Sequence, residues 1–156
     1  MKRLILALLP LMVNCGRAET AFIEEFEGPE ATGPRAADTK AKVREFYNEF
    51  KNACKINGNA ECLAKLALVD AVRVVPDING GVEFEGYYQD YGHGIRSIRI
   101  LDKDWISPTH LKHAVWHEMG HAIGKDHDSS NIIMKSDNLS EKERESIYDA
   151  LMEITK

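Results

Sequence analysis

Residues 117–127 read His-Glu-Met-Gly-His-Ala-Ile-Gly-Lys-Asp-His, and Met134 lies seven positions after the last histidine. On a helix, side chains four residues apart leave the same face one turn from each other, so His117 and His121 point to one place. Gly124 can adopt a positive φ and end the helix at little cost, which lets the chain turn back and bring His127 to the same point. Three neutral imidazoles at roughly 2.0–2.1 Å from an ion leave a fourth tetrahedral position open, the arrangement of a catalytic zinc site. Glu118 stands about 100° round the helix from His117, placed to hydrogen-bond a water beside the ion and not to ligate it. A His-Glu-x-x-His pattern alone is weak. The glycine and the third histidine make it specific, because each fixed position has a separate physical task.

With its third histidine, this stretch resembles the signature of the metzincin zinc endopeptidases, and the chain looks most like a small matrixin-type domain. Asp128, directly after the third histidine, is similar to the adamalysin branch. The resemblance implies an α+β zincin fold, with a small mixed sheet, three helices, a zinc helix and a methionine turn containing Met134. It also implies that a substrate lies along an edge strand beside the cleft, here the strand expected over residues 82–90.

At 156 residues the chain is long enough for one domain with a real core. Net charge is −5 and no basic patch stands out, so nucleic acid is not expected as a partner. Lys2 and Arg3 precede an apolar run over residues 4–13, too short to span a bilayer, so residues 1–15 read as an export signal. Its end, Val13-Asn14-Cys15-Gly16, looks like a bacterial lipoprotein box with Cys15 as the lipidated residue; the alternative is cleavage after Ala18. The expected protein is therefore exported, as an envelope lipoprotein or in secreted or periplasmic form, touching membrane only through that anchor. Cys54 and Cys62 remain as an even pair, expected to form a disulfide in an oxidising compartment, with two free buried thiols as the alternative.

Residues 16–37, with Gly28-Pro29 and Gly33-Pro34, read as a linker with a short strand at 21–26, ahead of a catalytic domain over 38–156. Asp38 is the expected cap of a helix running to about Cys54, with Val43, Phe46, Tyr47, Phe50 and Cys54 on its apolar stripe. Asn57-Gly58-Asn59 marks a turn, a strand is expected from about 68 to Val75, and Ile98 and Ile100 alternate with polar residues in another. Ser107-Pro108 opens the zinc helix. Ser140 and Glu143 form a capping box at the start of a final helix that buries Ile147, Leu151 and Ile154.

Other residues invite metal readings. His113 shares the ligand face, but His110 and His113 read first as surface histidines. Asp77, Asn79 and Glu83 could line a calcium loop, although Asp-x-Asn-Gly is also simply a turn. His93 lacks the partners of a second zinc site. Glu24, Glu25 or Glu27 could plug the active site. Trp116 and residues 128–138 are the expected walls of a specificity pocket.

The expected function is that of a monomeric zinc endopeptidase acting on protein or peptide substrates, with Glu118 as base and His117, His121 and His127 as ligands. The alternative is an exported zinc-binding lipoprotein of the same fold that holds a partner without cutting it.

Overall fold

Gly33 and Pro34, not Asp38, open the first helix among the described residues of the computed structural model, which are 29–76, 85–92, 94–105, 107–136 and 139–156. Helix α1 runs Pro34–Ile56 with proline in its first turn, where the missing N–H costs nothing, so the last four residues of the expected linker are helical. Arg35 holds this end down, its Nε donating to Asp102 Oδ1 (3.1 Å) and Nη2 to the Asp102 carbonyl (3.0 Å). Ala36, Thr39, Val43, Phe46, Phe50, Ala53 and Cys54 are buried along one stripe, and each large apolar side chain there contributes about 1.5–3 kcal/mol by leaving water.

Asn57 and Gly58 end the helix as expected, but the chain then enters a second helix, α2 (Ala60–Leu66), where the sequence suggests no element, and the strand expected from about 68 begins only at Ala71. Asn59 caps it, accepting from the Cys62 N–H at 2.8 Å. The Cys54–Cys62 disulfide joins the two helices, with Cα atoms 5.9 Å apart, and suggests an oxidising, exported environment. Replacing both cysteines with alanine should cost about 2–3 kcal/mol, the loop-closure contribution of so short a loop, and lower Tm by about 4–12 °C. Thermal unfolding of Cys54→Ala/Cys62→Ala beside the native chain measures this; equal unfolding temperatures would show that the bridge contributes nothing.

Three strands come next among the described residues: β1 (Ala71–Pro76), β2 (Gly86–Asp90) and β3 (Arg96–Asp102). Their order is β1-β3-β2, with β3 parallel to β1 and antiparallel to β2. The central place of β3 explains a departure from simple alternation. Ile98 and Ile100 are fully buried as expected, yet Ser97, expected to be wet, is fully buried too. Tyr87 is exposed and Tyr88 packs on the core, as the alternation in this strand implies.

Helix α3 (Pro108–Ala122) crosses beneath the sheet, started by Ser107, whose hydroxyl accepts from the His110 N–H at 3.1 Å. A 3₁₀ turn (Ile132–Met134) succeeds it, and then the capping box of Ser140 and Glu143. The final helix is broken at Ser146 into α4 (Glu141–Glu145) and α5 (Ile147–Ile154), the latter burying Ile147, Ala150, Leu151 and Ile154. The fold is thus mixed α+β with a small mixed sheet, but with five helical segments in place of three among the described residues. No helix among them is long and apolar enough to cross a membrane. The signal segment with Cys15, the strand at 21–26, the acidic plug residues, Asp77, Asn79, Glu83 and His93 all lie outside the described residues.

Candidate metal centre

Helix α3 presents His117 and His121 one turn apart, and its end is built to bring back the third histidine. The Gly124 N–H donates to the His121 carbonyl and the Lys125 N–H to the Gly120 carbonyl, both at 2.9 Å, with Gly124 at φ 88°. This pair of bonds closes the helix and reverses the chain within a few residues, a geometry that needs glycine. Lys65 of α2 supports the same end, its Nζ donating to the Ile123 carbonyl at 3.0 Å. His127 then arrives opposite the helix.

The three Nε2 atoms form a nearly equilateral triangle: 3.1 Å from His117 to His121, 3.1 Å from His117 to His127 and 3.2 Å from His121 to His127. His117 Nδ1 faces the Ile133 carbonyl at 2.7 Å, and His121 Nδ1 faces the Lys125 carbonyl at 2.8 Å. A carbonyl oxygen only accepts, so each of these Nδ1 atoms carries the proton and each neutral ring presents an Nε2 lone pair to the centre. Lone pairs this close repel unless a cation lies between them. Three nitrogens about 2.0–2.1 Å from one tetrahedral ion would be about 3.4 Å apart, close to the observed spacing. The residues fit a metal ion, and imidazole donors suit zinc, copper, iron and nickel. Burial favours the neutral form of two of the rings: it pushes His117 down to about 4, opposed by the Ile133 carbonyl and reinforced by the neighbouring histidines, and it lowers His121.

Glu118 is buried beside the ligands, and burial raises its carboxyl to about 7. The Tyr88 backbone N–H, which donates to it, and the Arg99 charge both pull in the opposite direction. Because the Leu101 N–H donates to the Glu85 carbonyl (3.1 Å), antiparallel alternation turns the main-chain groups of Gly86, Tyr88 and Asp90 away from β3, toward the site. A cleft of about 920 Å³ opens there, lined by the three histidines and Glu118 together with β2 residues on one side and Lys135 and Ser136 on the other.

Met134 lies buried under helix α3, and a Cβ on Gly120 would overlap its sulfur, so Gly120 is what lets the 3₁₀ turn approach. The turn hangs from the helix by two histidines, since His113 Nε2 also faces a carbonyl, that of Ile132, at 3.1 Å. His113 is therefore a buried support of the turn, not a surface residue, and it is not part of the metal-binding group. His110 is also buried, its Nε2 2.7 Å from Glu85 Oε2 and its ring edge-on to Trp105. Trp116 departs furthest from expectation. It is fully buried, donating from Nε1 to the Phe46 carbonyl at 2.9 Å, and forms no pocket wall. Of residues 128–138, Lys135 and Ser136 line the cleft, Asp128 to Ser130 are exposed, and 137 and 138 lie outside the described residues.

Gly86, Tyr88, Glu85 and Gly120 belong to the site without having stood out in the sequence. The one available signal was a glycine inside a strand-like alternation, which marks a close approach of backbone to something else. Comparison with protein-family models, with curated proteins and with solved structures found no match to this chain.

Proposed function

We propose that this chain is a zinc-dependent endopeptidase of the metzincin type. The observation that carries the proposal is the convergence of three imidazole Nε2 atoms beside a buried carboxylate at the wall of an open cleft. A non-catalytic metal site has no need of Glu118 in that position.

A zinc ion held by His117, His121 and His127 would supply Lewis acidity, polarising a scissile carbonyl and lowering the pKa of a water toward ~7. Glu118 accepts the proton of the attacking water and passes it to the departing amine. The main-chain groups of β2 that face the cleft pair with an extended peptide, which sets its direction across the metal. Met134 and Gly120 keep the floor beneath His117 rigid, and Lys135 and Ser136 form the opposite wall.

The deciding experiment incubates the purified, zinc-loaded protein with a mixed peptide library. Cleavage that stops on chelation and returns with zinc is expected. Peptide binding without cleavage at any metal loading would make the chain a binding module instead.

We also propose that Cys15 is lipidated and tethers the enzyme to a membrane surface. Cys15→Ser should then move the protein to the soluble fraction or leave its signal uncleaved. A soluble native protein with its N-terminus at Glu19 would refute the anchor and leave the protease reading intact.

A further inference from the structure

We propose that Gly86 is a positioning residue for the Glu118 carboxylate: the missing side chain lets β2 lie directly on the stem of Glu118 and fixes where its carboxylate stands. The inference rests on Glu118 being the proton acceptor of the proposed reaction.

Gly86 is not there for its backbone freedom, since its φ lies outside the left-handed range where glycine is needed. Its role is spatial. A Cβ at this position would stand 2.8 Å from Glu118 Cγ, 3.0 Å from Ile100 Cδ1 and 3.1 Å from the Arg99 carbonyl oxygen. A distance of 2.8 Å between two carbons is well inside van der Waals contact, so something must move.

The surroundings decide what moves. The strand is tied on both sides of its first residues. The carbonyl of Glu85 accepts the Leu101 N–H at 3.1 Å, and its carboxylate pairs with Lys103 Nζ at 2.6 Å. Lys103 comes directly after β3, so one side chain joins the start of β2 to the sheet. On the helix side, Val115 and Met119, one turn apart on the face next to Glu118, are fully buried and anchor this part of the helix in the core. Strand and helix are therefore both held, and the Glu118 side chain must yield. Its carboxylate would then leave the Tyr88 N–H two residues along the same strand. A displacement of about 1 Å at a reacting group costs on the order of 10²-fold in rate.

The test is a double-mutant cycle with Gly86→Ala and Glu118→Ala, alone and together, read by thermal unfolding of the metal-free chain and by steady-state kinetics of the zinc-loaded one. Gly86→Ala should lower kcat about 10–100-fold while KM and zinc content stay within about twofold. It should also lower Tm by about 3–10 °C, the range for one methyl forced into a packed site. Glu118→Ala removes Cγ, the atom in closest conflict, so in that background the added methyl should lower Tm by less than half as much. An equal fall in Tm in both backgrounds would overturn the proposal, as would loss of zinc as the main effect of Gly86→Ala. If Gly86→Ala does not fold, recovery of folding in the double variant supports the coupling, and failure of both overturns it. The thermal cycle requires no activity. A native chain that cleaves nothing would thus sink the protease reading while the contact between Gly86 and Glu118 is still judged by its unfolding temperatures.

Discussion

Glu118→Gln should bind zinc at close to one ion per chain and unfold near the native temperature, yet lose about 10²–10⁴-fold in turnover, the usual weight of a positioned general base. The amide keeps the shape and stem of the side chain, so it still fills the space beside Gly86. What it loses is the ability to accept a proton. The loss should fall on kcat and kcat/KM alike, because the proton transfer matters only as the transition state forms. Near-normal turnover in a variant with full zinc would remove Glu118 from the mechanism. A large rise in KM with kcat unchanged would place it in substrate binding.

Removing a ligand should have a different signature. His121→Ala leaves two imidazoles where three converge, and the lost affinity should exceed the 10–100-fold that partners outside the ligand shell commonly carry. The effect is also visible without substrate. An ion that binds only the folded chain stabilises it by about 4.1 kcal/mol at a thousandfold excess over Kd, which for a domain of this size raises Tm by about 8–16 °C. Zinc titrated into the native chain should give a rise of that order, and into His121→Ala little or none. A metal-induced rise that survives in His121→Ala would mean the ion sits elsewhere. His117→Ala should go further, because the bond from His117 Nδ1 to the Ile133 carbonyl of the turn that carries Met134 is buried, whereas that from His121 Nδ1 to the Lys125 carbonyl is exposed to water. It should lower the stability of the metal-free chain as well, by about 1 kcal/mol for a lost buried hydrogen bond.

Much of this site is written locally. The step of four between His117 and His121 fixes their common face on any helix, Gly124 supplies the positive φ that stops it, and Ser107-Pro108 starts it. The capping box of Ser140 and Glu143 and the apolar stripe of α1 are likewise short-range patterns, legible because their partners lie within a few residues. Local reading failed where a nearby residue competed for the same task. Asp38 is a good cap, but Gly33-Pro34 with Arg35 bound to Asp102 starts the helix earlier. Ser146 interrupts the last helix despite a periodicity that runs through it.

By itself, then, the sequence determined the histidine-bearing helix, the residue that ends it and the identities of the three converging histidines, because helical geometry converts spacing into direction. Only the tertiary structure decided what surrounds them. His110 and His113 carry nothing in their sequence context to distinguish a surface histidine from a buried one; Glu85 and the Ile132 carbonyl, 25 and 19 residues away, settle it. Trp116 points into the core because α1 crosses that face of α3 and offers the Phe46 carbonyl. Gly86 meets Glu118 across a sheet edge and a helix that are 32 residues apart in the chain, and such contacts are set by packing, which spacing does not encode.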